Sequence, residues 1–265
     1  MRYLFNKGNG APDNFKGRHI FLFLDFDGTL VPIARTPDRV VTPFGIKGLL
    51  KKLAGGPYCK VAVISGRGLD DLKKRLGLSG IIYSGNHGLE IEGPGAKVIR
   101  RVSGSYRSAL KQMKYALIEG LSSIRGVLIE DKGLSISLHY RMVSKKDIPG
   151  VEAVFRKIAD PRLKKGLIDV LFGKKVFEVR PASRWDKGKV VLWLLKRYAR
   201  PLKGGKVLPI YIGDDTTDED AFRALQGKGL TIRVGARGAS CARYYLRDVD
   251  EVSAFLRMIA AGARG

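Results

Sequence analysis

"FLFLDFDGTL", residues Phe21 to Leu30, decides how the rest of the chain is read. Four apolar residues in a row read as the end of a buried strand, and two carboxylates, Asp25 and Asp27, follow at once. Carboxylates at the rim of a core repel each other and lose hydration. Their position therefore asks for a compensating charge and a chemical use.

Working outward, residues Arg18 to Asn86 alternate "HIFLFL", a helical pattern around Pro43 to Leu53, "KVAVIS", a helical pattern from Gly68 to Leu76, and "IIYSG". Strands separated by helices of this length predict a parallel sheet covered on both faces. The pattern returns from Trp185, with "KGKVVLWLLKRY" as a helix, "VLPIYIG" as a strand, "EDAFRAL" as a helix, "LTIRVG" as a strand and Val249 to Ala261 as a closing helix. Between these halves "LEIE" and "KVIRRV" read as paired strands, and "SYRSALKQMKYALIEGL" and "GVEAVFRKIAD" as helices. "GVLIEDKGLSISLHYR" and "GLIDVLFGKKVFEVRP" read as hairpins. The expected fold class is α/β: a Rossmann-like parallel-sheet core over 18–87 and 182–265, with a smaller α+β cap domain inserted at 88–181. Residues 1–17, rich in Gly, Asn and Pro and without periodicity, are expected to form a flexible N-terminal arm.

Composition narrows the function classes. The 265 residues are 45% hydrophobic and 9% aromatic, which suits a soluble globular protein. The run Ile20 to Leu24 is far shorter than the roughly 20 residues that span a bilayer, and Met1 to Gly17 has no secretory pattern. A cytoplasmic protein, with no membrane partner, is the expectation. Cys59 and Cys241 have neither a CxxC nor a metal-ligand spacing. Lys and Arg outnumber Asp and Glu by 49 to 25, a formal charge of +24, yet they form only short clusters such as Lys73-Lys74-Arg75. Such clusters are ordinarily solvated helix faces. The scarcity of Asn and Gln is the pattern expected of a thermophile.

In open α/β sheets, ligands bind beyond the carboxyl ends of the strands. Here those ends read Asp25-Phe26-Asp27-Gly28-Thr29, Ser65-Gly66-Arg67, Ser84-Gly85-Asn86-His87 and Gly213-Asp214-Asp215-Thr216-Thr217-Asp218, while Lys187 opens the helix that re-enters the core. Five carboxylates fall in the seven residues Asp214 to Asp220. Such hard oxygen ligands suit Mg²⁺. Helix capping by Thr217 or Asp218, Glu219 and Asp220 would account for part of the cluster but not for Asp25 and Asp27.

"DFDGTL" resembles the first motif of the haloacid dehalogenase superfamily, DxDx[TV], and Ser65, Lys187 and "GDDTTD" are similar to its second, third and fourth motifs in the right order. More narrowly, "SGR", "GNHG", "EDKGLSISLHYR", "FEVRP", "WDKG" and "GDDTTDEDAF" resemble the trehalose-6-phosphate phosphatases, over roughly Arg18 to Gly262. The resemblance implies a HAD-like core whose cap opens and closes over the site, and Mg²⁺-dependent hydrolysis of trehalose 6-phosphate through an aspartyl-phosphate. Asp25 would be the nucleophile and Asp27 the general acid and base. Asp25, the backbone carbonyl of Asp27, and Asp214 would hold the metal, with Asp215 or Asp218 acting through water. Ser65 and Lys187 would bind phosphoryl oxygens, and Gly28 would let the backbone approach the phosphate.

For substrate contact the candidates are Gly66, Arg67, Asn86 and His87 near the core and Glu130, Lys132, Arg141 and Glu178 on the inserted hairpins. His139 reads as a strand-face residue. A monomer acting on a phosphorylated disaccharide is expected. The rival reading is a related phosphatase for a sucrose, mannosylglycerate or hexose phosphate. The rival from another class, a basic nucleic-acid-binding protein, would need a basic aromatic face or an arginine-rich arm, and neither is legible.

Overall fold

The computed structural model describes residues 1–6, 15, 18–183, 185–198, 207–235 and 238–262. In chain order its elements are β1 (Arg2–Tyr3), β2 (His19–Leu24), α1 (Phe44–Gly55), β3 (Cys59–Ile64), α2 (Leu69–Leu76), β4 (Ile82–Gly85), β5 (Glu90–Gly93), β6 (Ala96–Ile99) and α3 (Gly104–Gly120). There follow β7 (Leu128–Asp131), β8 (Ile136–His139), α4 (Ile148–Lys164), β9 (Ile168–Gly173), β10 (Val176–Pro181) and α5 (Lys187–Tyr198). The last elements are β11 (Val207–Gly213), α6 (Glu219–Ala224), β12 (Leu230–Val234), β13 (Tyr244–Leu246) and α7 (Val249–Gly262). They fall into two units, Met1–Ile33 with Val40–Val98 and Trp185–Gly265, and Ala34–Arg39 with Ile99–Arg184.

The first unit is built on a sheet of order β1-β13-β12-β11-β2-β3-β4-β5-β6. Neighbouring strands run parallel from β1 through β4, and β5 lies antiparallel to β4. Strand β2 is central and buried from Ile20 to Leu24, which is why it reads as an unbroken apolar run. Phe21 and Phe23 stack with ring centroids 4.2 Å apart and share a core with Val190, Val191 and Leu194 of α5. Burying each such side chain contributes about 1.5–3 kcal/mol. Lys187 precedes those α5 residues at helical spacing and so stands on the same buried stripe.

The second unit pairs an antiparallel sheet of order β7-β8-β10-β9 with α3 and α4. Leu110, Met113 and Leu117 of α3 and Val151, Phe155 and Ala159 of α4 pack on Ile136, Leu138, Phe177 and Val179. Period-two alternation sends the intervening residues to the other face, where Glu130, Ser137 and Glu178 stand directly opposite one another.

Two expectations change. "LEIE" and the start of "KVIRRV" belong to the large sheet as β5 and β6 instead of opening the inserted domain. Asn86 and His87 adopt left-handed conformations (φ 48° and 53°) and reverse the chain, so that β5 returns along β4. Alternation predicts a strand pair but does not say which sheet it joins. The expected arm 1–17 is also anchored where it is described. Arg2–Tyr3 pairs with β13, and Leu4 and Phe15 are buried, Phe15 with its ring 5.8 Å from that of Phe255. Residues 7–14 and 16–17 of that expectation lie outside the described residues. Among the described residues no helix is long and apolar enough to cross a membrane.

Candidate active site

Leu24 is in register with Val63 of β3 on one side and Ile212 of β11 on the other, and Ile64 with Ser84 of β4. The polar segments after β2, β3, β4 and β11 therefore line one edge of the sheet. The chain leaves β2 toward β3 and later returns as β11 on its opposite side, which makes this edge a topological switch point, the ordinary location for a ligand crevice.

At its centre Lys187, 3% exposed, donates from Nζ to Asp25 Oδ1 at 2.8 Å and to Asp218 Oδ1 at 2.7 Å. Tyr211 Oη donates to the same Asp218 oxygen at 2.7 Å, and the Asp215 backbone N–H donates to Asp218 Oδ2 at 2.9 Å. Burial pushes the Asp25 carboxyl well above the usual carboxylate range; Lys187 opposes this, while Asp218 and Asp214 add to it. Burial works against the charge of Lys187, but Asp218 and Asp25 outweigh it and hold the ammonium well above the ordinary lysine range. Burial and the Asp218 charge likewise raise the Tyr211 phenol, keeping it a donor.

Asp25, Asp214 and Asp218, all buried, offer carboxylate oxygens within 4.8 Å of one another. A divalent cation with a preference for hard oxygen ligands fits this set of three carboxylates, two of which share the Lys187 ammonium. Both oxygens of Asp218 are already bonded, which makes it an anchor for Lys187 more than a primary ligand. Close approach explains two glycines: a side chain at Gly28, where φ is +83°, would overlap the Asp214 carboxylate, and one at Gly213 would overlap that of Asp218. Asp215 takes the capping role that composition had assigned further along, in a reciprocal capping box with Asp218. Glu219 pairs with Arg233 at 2.8 Å and Asp220 with Arg223.

Asp27, two residues after Asp25, meets a different cation. Arg67 grips it bidentately, Nε to Oδ2 at 2.6 Å and Nη2 to Oδ1 at 2.8 Å. Ser65 is buried and its Oγ accepts from the Arg67 N–H at 3.2 Å. The "SGR" and "GNHG" segments are tied together, Asn86 N–H to Arg67 O at 2.7 Å and His87 N–H to Ser65 O at 3.0 Å, and Asn86 Nδ2 donates to Glu90 at 2.6 Å. Left-handed backbone at two non-glycine residues costs on the order of 1–3 kcal/mol each and persists only where its surroundings enforce it. The first unit thus brings Asp25, Asp27, Gly28, Ser65, Gly66, Arg67, Asn86, His87, Lys187, Asp214, Asp215 and Asp218 to one sheet edge.

On the second unit, Lys132 Nζ and Ser135 Oγ each approach Glu178 Oε1 at 3.3 Å, and Glu130 meets His139 Nε2 at 2.8 Å. His139 is thus the strand-face residue expected. Ser137, in register between Glu130 and Glu178, is fully buried and its Oγ has no partner among the described residues. Arg141 does not share that row: it is exposed and donates to the Lys174 carbonyl at 2.6 Å, beside the β9–β10 turn. Tyr211, Ser135 and Ser137 escaped sequence reasoning. Only the alternation of their strands, which points Ser137 to the face of Glu130, could have found one of them.

The sequence model of the trehalose-phosphatase family matches residues 23–250. Probable trehalose-phosphate phosphatase D of Arabidopsis thaliana is 34% identical over 257 residues, covering 92% of this chain and 68% of that protein. Trehalose-phosphate phosphatase of Mycobacterium avium (strain 104) is 37% identical over 219 residues, covering 82% of this chain, which spans only about half (54%) of that protein. In fold, the C-terminal domain of C. albicans trehalose-6-phosphate phosphatase is similar with a TM-score of 0.81 at 24% identity, covering 94% of each chain. With its motif segments gathered on one sheet edge and the family pattern spanning most of its length, the chain belongs to the trehalose-phosphatase family.

Proposed function

We propose that the protein is a Mg²⁺-dependent phosphatase that hydrolyses trehalose 6-phosphate to trehalose and phosphate. The observation that carries this reading is the buried Lys187 bridging Asp25 and Asp218 at the switch point of the sheet. It accounts for carboxylates at the rim of a core, because Lys187 offsets them and a metal takes up the remainder.

Asp25 attacks phosphorus, and the bond from phosphorus to the sugar oxygen breaks as an aspartyl-phosphate forms. Asp27 gives a proton to the departing oxygen, then takes one from the water that attacks the aspartyl-phosphate, releasing phosphate and restoring Asp25. Ser65 and Lys187 bind phosphoryl oxygens. Asp25, the backbone carbonyl of Asp27 and Asp214 would hold Mg²⁺, which would supply the positive charge that lets an anionic nucleophile approach an anionic phosphate. Arg67, Asn86 and His87 support the substrate side of the same edge.

Sugar recognition is assigned to Glu130, Lys132 and Glu178. Charged groups bond hydroxyls well, and a site built for them rejects analogues that lack them. The reading takes the chain as a cytoplasmic monomer of thermophilic origin; a melting temperature of ~45–65 °C would count against that origin.

The deciding experiment is a screen for phosphate release across trehalose, sucrose, mannosylglycerate and hexose phosphates, with and without Mg²⁺. Preferential, Mg²⁺-dependent release from trehalose 6-phosphate is expected. Preference for another sugar phosphate moves the substrate, and no release from any of them rejects the reading.

A further inference from the structure

Behind the Arg67 fork on Asp27 lies a second carboxylate. Arg67 Nη1 donates to Asp71 Oδ2 at 2.7 Å, and Arg75 Nε donates to that same oxygen at 2.8 Å. Arg75 Nη1 in turn donates to the Val40 carbonyl at 2.7 Å. Arg67, Asp71 and Arg75 are spaced by four residues and so share one face of α2 and its approach. The guanidinium of Arg67 also lies over the ring of Phe26, the residue between the two motif aspartates, 5.5 Å from its centroid.

We infer that Asp71 is a positioning residue: by fixing one end of the Arg67 guanidinium over Phe26, it aims the other two donors so that Asp27 faces the reacting oxygen in one orientation. The inference rests on the proposed acid–base role of Asp27. An exposed i,i+4 ion pair would contribute little to stability and would have no chemical consequence. Here the arginine is buried and two of its other donors end on Asp27, the group proposed to exchange a proton with substrate and water. Without Asp71 the planar fork loses an anchor on the side away from Asp27 and is freer to turn over the Phe26 ring. Displacing a reacting group by about 1 Å costs up to about 100-fold in rate.

The test uses leaving-group chemistry. A sugar alkoxide leaves from phosphorus only with a proton from Asp27, whereas p-nitrophenolate leaves without one. kcat/KM reports the steps through departure of that group. For Asp71→Asn, kcat/KM on trehalose 6-phosphate should fall about tenfold or more, and on p-nitrophenyl phosphate by less than about threefold. Asp27→Asn is measured alongside and should show the same selectivity more strongly. Adding Asp71→Asn to Asp27→Asn should cost less than about twofold more, since a residue acting through Asp27 is not additive with its loss. Equal losses on the two substrates, no loss on either, or additivity would overturn the inference and leave Asp27 in its role. Asp27→Asn without selectivity would instead overturn that role, and the inference with it. If Asp71→Asn fails to fold, Arg75→Gln carries the same comparison with a smaller expected loss.

Discussion

Lys187 and Lys132 both meet carboxylates in largely buried surroundings, one in each unit, and they are held very differently. Lys187 sits 2.8 Å from Asp25 and 2.7 Å from Asp218, and Asp218 is fastened further by Tyr211 and the Asp215 backbone. Lys132 meets Glu178 at 3.3 Å, and Ser135 reaches that same oxygen at an equal distance. Short, converging bonds fix charge in advance of a reaction. Long contacts on a sheet face exchange more readily for the hydroxyls of a ligand. The contrast matches the division of work proposed above, chemistry in the first unit and recognition in the second.

The strongest way to break that division is at the nucleophile. Asp25→Asn should lower phosphate release on the order of 10⁴-fold or more, as loss of a nucleophile does elsewhere. A variant that kept activity within about tenfold of the parent would remove the first unit from the chemistry. Next comes the lysine pair. Lys187→Met leaves Asp25 and Asp218 buried without their cation and should cost about 3–5 kcal/mol in urea unfolding without added metal. Lys132→Met, which removes a contact of 3.3 Å to Glu178, should cost clearly less. Equal costs would mean that the two networks do not differ in kind.

Much of this contrast was legible in the residue pattern, and its limits have physical causes. The polar segments after the four central strands were found because strand ends in a parallel sheet share an edge by construction. Lys187 was marked by its place in the motif series, and the stripe Val190, Val191 and Leu194 supplies the physical reason for its burial. Tyr211 and the Arg67 fork on Asp27 were hidden, because those contacts join residues brought together only by strand register and side-chain direction. The same cause concealed the sheet to which β5 and β6 belong.

A smaller effect is expected on the recognition side. Glu178→Gln keeps the shape of the side chain but removes the charge beside Lys132, so it should raise KM for trehalose 6-phosphate about 10- to 100-fold while kcat changes little. Steady-state kinetics separate the two. A fall in kcat with KM unchanged would place Glu178 with the chemistry and erase the contrast between the units.

The smallest expected effect asks whether tight and loose carboxylates also differ away from the proposed site. Glu251, in the first unit, is largely buried and takes hydrogen bonds from Tyr3 Oη at 2.6 Å, from the Arg247 N–H at 2.7 Å and from the Arg247 guanidinium. Burial pulls its pKa up, but these donors outweigh it and leave the carboxyl below the ordinary glutamate value of 4.5. A carboxyl lowered in the folded state stabilises the protein above its unfolded pKa, and that contribution is lost as pH falls through the folded value. Asp131, in the second unit, is also lowered, but it is exposed and its ion partner is Lys114. Glu251→Gln should therefore cost about 1–2 kcal/mol at neutral pH, and the difference from the parent should shrink as pH falls below 4.5. Asp131→Asn should stay within about 0.5 kcal/mol throughout. Urea unfolding across that pH range reads both. A pH-independent cost at Glu251 would assign its effect to packing, since only an ionised carboxylate loses its advantage on protonation.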